Sequence, residues 1–398
     1  MIGISKLYCS TVEPSDALRY ARHSNQLPSH LLQFSKDKKP VVVWNMTQRC
    51  NLKCVHCYAQ SEDISYDNEL TEDQSYQMLD DLAEFGVPVV LFSGGEPLVH
   101  PKLADYAAYA VKRGMRAVIS SNGTLITREK ARILKEIGLS YVGISMDGLE
   151  PVHDQFRGIQ GSFQKALQGI RNCQEAGIKV GLRFTINKRN VADIPGIFDL
   201  LEEMKIPRAC FYHLVYSGRA SEIAKEDLSH AETRKTLDLI MERTRDLHDR
   251  NKPKEILTVD NHADGPYLYL KLLKEAPEQA AEVLELLQMN EGNNSGRGFG
   301  CISWDGEVFP DQFWRDKSLG NVKQRPFSAI WTDTSNEFLM KLKEKKNHVK
   351  GRCAGCRWLD ICGGNFRARA ESVAGDVWDS DPACFLTDDE IAPEPSSS

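Results

Sequence analysis

The chain has 398 residues, 41% hydrophobic and 27% charged, with a formal net charge of -6. That length suits one large domain plus a smaller one around a sizeable core, and without a long basic run nucleic acid is excluded as the main partner. No stretch reaches the roughly 18 apolar residues of a membrane span and Met1–Lys6 has no signal-peptide pattern. A cytoplasmic protein is therefore expected, in which eleven cysteines point to metal rather than to disulfides.

Residues 1–40 are mixed, rich in turn formers and basic residues, and read as an N-terminal extension. From Pro40 a rhythm begins. Val41–Trp44 reads as a buried strand, followed by a cysteine loop. Thr71 is a helix N-cap, with Glu72 and Asp73 in the first turn of a helix to about Phe85. Pro88–Phe92 is the next strand, then Gly94–Gly95 and a helix over Lys102–Arg113. Strand Arg116–Ser121 ends at Asn122–Gly123. The alternation continues with helix Thr127–Ile137, strand Tyr141–Met146, helix Ser162–Ala176, strand Lys179–Ile186, helix Val191–Met204 and strand Ala209–Val215.

Six strands alternating with helices predict a parallel sheet and an α/β fold: a partial (β/α)₆ TIM-like barrel over residues 41–226. Chemistry in such barrels sits at the C-terminal strand ends, where the cysteine loop and Gly94–Gly95 fall. Residues 227–290 are helical and charged and read as a linking region. Residues 291–390 form a smaller cysteine-rich extension, and 391–398 a disordered tail.

Cys50, Cys54 and Cys57 place three thiols within eight residues. Three thiolates can hold three irons of a 4Fe-4S cubane and leave the fourth iron open. The alternative is zinc, which needs a fourth ligand; His56, between two of the cysteines, is the available one. Farther on, Cys353, Cys356, Cys362 and Cys384 supply four thiolates. That set fits a closed zinc site or a fully ligated 4Fe-4S cluster. Cys301 is spare and reads as an alternative ligand, a substrate contact or, first among these, a buried thiol, while Cys9, Cys173 and Cys210 read as core cysteines.

The CxxxCxxC run followed by Tyr58, with Ser93-Gly94-Gly95-Glu96-Pro97 after the second strand, resembles the radical S-adenosyl-L-methionine (SAM) superfamily, with His56 in place of the usual aromatic residue. The resemblance implies SAM chelated at the open iron, with contacts from Tyr58, Gly94, Gly95, Glu96, Ser120, Asn122, Ser145 and Asp147. It implies that Arg157 pairs with the SAM carboxylate. The second cysteine set is similar to the SPASM/twitch extensions that carry auxiliary clusters. Asp311 and Phe366 stand where a two-cluster extension has cysteines, so one auxiliary cluster is expected and two 4Fe-4S clusters in all.

Gly3–Tyr8, the run from Leu27 to Thr47 and Pro310–Trp314 look like tetrapyrrole-modifying radical SAM enzymes, nearest the AhbC-type 12,18-didecarboxysiroheme deacetylases, with NirJ-type and AhbD-type relatives. The resemblance implies an iron tetrapyrrole substrate, loss of two acetate side chains to give iron-coproporphyrin III, and an external electron donor such as flavodoxin or ferredoxin. NirJ-type propionate removal, AhbD-type decarboxylation, peptide modification by a SPASM enzyme and a non-catalytic haem or iron–sulfur carrier are the competing readings. A substrate with several carboxylates calls for cations, and Arg19, Arg22, Arg297 and Arg315 are the candidates.

Overall fold

The computed structural model describes residues 1–11 and 39–393. Its strands are β1 (Ile2–Gly3), β2 (Val41–Asn45), β3 (Val89–Ser93), β4 (Arg116–Ser121), β5 (Tyr141–Ser145), β6 (Lys179–Ile186), β7 (Arg208–His213), β8 (Glu255–Val259), β9 (Phe299–Ile302), β10 (Glu307–Phe309) and β11 (Gly320–Asn321). They form one sheet in the order β1-β8-β7-β6-β5-β4-β3-β2-β9-β10-β11. Neighbours from β8 through β2 to β9 are parallel, while β1, β10 and β11 pair antiparallel.

The six strands β2–β7 are those expected from the apolar runs, each within a residue or two. Their residues are almost continuously buried, as in a parallel sheet covered by helices. The helix Glu72–Phe85 starts at Thr71, whose hydroxyl accepts the Gln74 amide while the Gln74 side chain accepts the Thr71 amide. This capping box stabilises the helix by about 1 kcal/mol. Its buried face, Met78, Leu79 and Leu82, joins Phe92, Tyr106, Ile119 and Ile144 in the main core.

Two regions differ from expectation. Residues 227–290 are not only linking helices: between the helices His230–Asp249 and Asp264–Glu275 the chain lays β8 beside β7. The N-terminal stretch is not irregular at its start. β1 pairs with β8, and in the following helix Ile4–Cys9 the Ser5 hydroxyl donates to the Ile256 carbonyl and accepts its amide. The cysteine-rich extension is continuous with the barrel, because β9 pairs with β2 in parallel over four residues. Just before the expected tail, and reaching its first residue, Asp388–Ile391 is a short helix capped by Thr387.

Candidate functional site

The loop after β2 carries Cys50, Cys54 and Cys57, and backbone contacts from four other segments fix its course. The Cys50 amide donates to the Glu62 carbonyl at 3.0 Å and the Val55 amide to the Phe156 carbonyl at 3.0 Å. The Gly95 amide donates to Thr47 O at 2.7 Å and the Glu96 amide to Arg49 O at 2.9 Å. A Cβ on Gly95 would lie 2.2 Å from Arg49 O, so the glycine admits the cysteine loop itself. Arg219, which sequence reasoning missed, is the fourth tether. Its Nε donates to Cys54 O at 2.8 Å, and both its Nη atoms to Ser61 O at 3.2 Å. Gly218 precedes it at φ +58, packed against the Cys57 and Tyr58 carbonyls.

The three thiols lie together and largely buried. Burial pushes the Cys50 thiol up, and Glu96 and Cys54 add to that. Burial raises Cys54 as well, against the pull of Arg157. Buried thiols that disfavour one another's ionisation form a donor set that a multiply charged metal centre would neutralise. N–H groups already point at the sulfurs: Leu52 N to Cys50 Sγ at 3.4 Å and Arg157 Nη1 to Cys54 Sγ at 3.5 Å. His56 does what the expected aromatic residue would do. Its ring stacks on Phe156 at 4.4 Å, and burial drops its pKa to about 4, so it is neutral.

A cavity of about 170 Å³ opens on these cysteines. Tyr58, Gly94, Gly95, Ser120, Asn122, Ser145 and Arg157 line it. The Tyr58 hydroxyl donates to Asn45 Oδ1 at 3.0 Å, which fixes the ring against Phe313. Glu96 and Asp147 do not line the cavity. Glu96 is buried and accepts from Leu98 N, Ser121 Oγ and Asn122 N, clasping the end of β3 to the end of β4. Asp147 is fully buried; it pairs with Arg157 and accepts the Thr185 amide at 2.7 Å. Burial alone would raise the Asp147 carboxyl, but Arg157, His56 and the Thr185 amide together hold it low. The Arg157 guanidinium is thus already charge-paired, leaving its Nε without a partner among the described residues.

The second cysteine set gathers Cys353, Cys356, Cys362 and Cys384. Burial raises Cys362, and each of the other three adds to the rise. Cys384 is pushed to about 11 by burial, with Cys353 adding to it. Four mutually repelling thiols are the donor set of a closed four-thiolate centre. Four thiolates can hold a zinc ion or a fully ligated 4Fe-4S cluster. The positions that lack cysteine have other work. Asp311 accepts from Ser295 Oγ and Phe313 N, and Phe366 meets Phe313 edge-on at 5.4 Å. Cys301 sits in β9 among Val43, Phe309 and Trp314 and takes a 3.5 Å contact from Asn45 Nδ2.

A larger chamber of about 340 Å³ runs inside the barrel and shares Leu91, Arg183, Tyr212, Asp260, Gln312 and Phe313 with the first. The cations expected for substrate are not those that line it. Arg19 and Arg22 lie outside the described residues. Arg297 pairs with Glu291 at 2.9 Å, Arg315 lies over Trp304 at 4.5 Å, and neither lines either chamber. The lining arginines are instead Arg116, Arg183 and Arg208, from β4, β6 and β7. Strand alternation puts such residues on one face but does not tell a lumen-facing arginine from a solvent-facing one, so the sequence carried no signal for them.

Residues 44–201 match the radical SAM superfamily, and residues 295–357 match SPASM, an iron–sulfur cluster-binding domain. Among solved structures, Streptococcus suis SuiB bound to S-adenosylmethionine aligns with a TM-score of 0.68 at 18% identity, over 90% of this chain and 80% of that one. Native anSMEcpe with bound AdoMet aligns at 0.67 and 19%, over 87% of this chain and 93% of that one. At such identities these likenesses establish the fold. Fe-coproporphyrin III synthase of Methanosarcina barkeri is 67% identical over 394 residues, 98% of this chain and 99% of that protein. Pre-heme d1 synthase of Dinoroseobacter shibae is 42% identical over 88% of this chain and 87% of its own length. The chain belongs to the AhbC/NirJ-type family of radical SAM enzymes. Its cofactors are SAM, the cluster that binds it and an auxiliary iron–sulfur cluster.

Proposed function

We propose that the enzyme removes the two acetate side chains of 12,18-didecarboxysiroheme, leaving methyls and giving iron-coproporphyrin III in an alternative route to haem. The observation that carries this reading is the 67% identity, end to end, with an Fe-coproporphyrin III synthase. A chamber continuous with the cysteine site and lined by three arginines suits a macrocycle with several carboxylates.

In this reading Cys50, Cys54 and Cys57 hold the SAM-binding cluster and Cys353, Cys356, Cys362 and Cys384 the auxiliary one. SAM, when bound and reduced by one electron, supplies a carbon radical that abstracts a hydrogen atom. The chain's own part is to hold and to shield. Tyr58, Gly94, Gly95, Ser120, Asn122, Ser145 and Arg157 shape the SAM chamber, while Glu96 and Asp147 position it from behind. Val43, Leu52, Leu91 and Phe313 make apolar walls. Asp260 lines both chambers. Burial lifts its carboxyl to about 7, and Oδ2 has no partner among the described residues, so it can hold the proton that an expelled acetate fragment needs. The electron would come from a flavodoxin or ferredoxin in the cytoplasm.

Anaerobic incubation of reconstituted enzyme with SAM, reductant and 12,18-didecarboxysiroheme, followed by mass spectrometry, tests the reading. Two acetic acids released per macrocycle are expected. Loss of propionate, or of carbon dioxide to leave vinyls, would replace it with one of the sister reactions.

A further inference from the structure

Among the described residues Arg183 is the arginine that the two chambers share. It lies in β6 facing the lumen and lines both chambers at their junction. Among the described residues its hydrogen bond to protein runs from Nη1 to Ser120 Oγ at 3.0 Å, and its buried Nε has no partner. No carboxylate pairs with it among the described residues, whereas Arg208 in the same chamber is 3.6 Å from Glu255 and Arg157 in the cysteine chamber holds Asp147. Arg183 is partly buried on the chamber wall, and a partly buried guanidinium without a counter-ion is costly and persists where a ligand supplies the missing charge.

The neighbouring strand is built around it. A Cβ on Gly143 of β5 would lie 2.4 Å from Arg183 Nε and 3.2 Å from its Cδ and Cζ. A glycine in a strand interior weakens the sheet relative to alanine. Here that cost clears the space in which the guanidinium rests. The ring of Tyr212, also on the wall of both chambers, lies 5.9 Å from the guanidinium carbon. The fork is thus held between a glycine floor and an aromatic face, with donors left for a planar anion.

We propose that Arg183 is the specificity residue that grips one side-chain carboxylate of the tetrapyrrole and so fixes which edge of the macrocycle faces the cysteine chamber. This rests on the substrate reading above. A carboxylate is also present on SAM. One feature assigns Arg183 to the larger ligand: it reaches the deep chamber, which Arg157 does not line. The anchor is a positioning device. It breaks no bond and moves no proton.

The test uses reconstituted full-length enzyme, with 12,18-didecarboxysiroheme and SAM titrated separately under anaerobic conditions. Arg183→Met should weaken the tetrapyrrole about 10- to 100-fold, the loss of one charge-assisted pair, and leave SAM affinity and iron content unchanged. Arg183→Lys should recover part of the affinity but yield a mixture of regiochemical products, because a point charge does not orient a carboxylate. Gly143→Ala should reproduce the loss without removing the charge, which keeps the proposal testable if the methionine variant folds poorly. The tetrapyrrole with every carboxylate methylated should bind wild type and Arg183→Met alike. Weakened SAM with unchanged tetrapyrrole would assign the site to SAM and overturn the proposal, as would unchanged affinity for both. If wild type binds SAM but no tetrapyrrole, the substrate reading fails, and the anchor with it.

Discussion

Replacing Arg219 by alanine should loosen the three-cysteine loop without touching a cysteine. The side chain is part-exposed and gives three N–H groups to two carbonyls, Cys54 O at 2.8 Å and Ser61 O at 3.2 Å. A hydrogen bond from a charged donor contributes about 1.5–3 kcal/mol, and solvent can replace part of it at Ser61, so roughly 2–4 kcal/mol is the expected loss. At about 1.4 kcal/mol per tenfold, iron should leave this site roughly 30- to 700-fold faster. The assay is chelator-driven iron release from reconstituted enzyme. Wild type should lose about eight irons slowly; Arg219→Ala should lose about four fast and about four at the wild-type rate, one cubane's worth each. Arg219→Lys, which reaches one carbonyl at most, should fall between. Folded alanine variant with a single slow phase would show that the loop is held by its backbone contacts alone.

Cys353→Ala and Cys356→Ala should each remove about four irons, whereas Cys50→Ala should abolish SAM cleavage; zinc in the second site by elemental analysis would contradict this. Gly95→Ala drives a Cβ to 2.2 Å from Arg49 O, so iron loading at the first site should collapse, and normal iron content would refute the packing argument. Burial raises the Asp260 carboxyl to about 7, so it is protonated below that pH and ionised above. Deacetylation should therefore slow as pH rises through about 7, Asp260→Asn should flatten the profile, and a wild-type rate that is level from acid to alkaline pH would remove the proton role. The same shift makes folding stability fall as pH rises between the unfolded value, 3.8, and about 7, measurable as a Tm decrease that Asp260→Asn abolishes.

The strand and helix rhythm of β2–β7 was legible because each buried parallel strand is a short apolar run and the helices between carry caps such as Thr71. β8 was not. Glu255–Val259 is five residues set among charged helices, and its partners, β7 and the chain start, are far away in sequence. β9 was hidden for the same reason, its ladder to β2 spanning some 250 residues. In the site, the spacing of thiols and glycines gave the cysteine positions directly. What it could not give was direction. Asp147 and Arg157 both carry SAM-like signatures, yet they satisfy one another. Arg183, a polar residue in an alternating strand, is indistinguishable by pattern from one facing solvent.

The pairing of β2 with β9 has a consequence for how the enzyme is made. β2 gains β3 on one side early in synthesis, but its other edge keeps open hydrogen-bonding groups until residues 299–302 have left the ribosome. The strand that carries the first cysteine loop is therefore an unfinished edge for most of translation. The sheet around that loop is complete only once β9 has been made. Truncating the extension would not release a free-standing barrel: it would expose a flat apolar edge at the strand that feeds the reactive centre, and the product would be prone to aggregate.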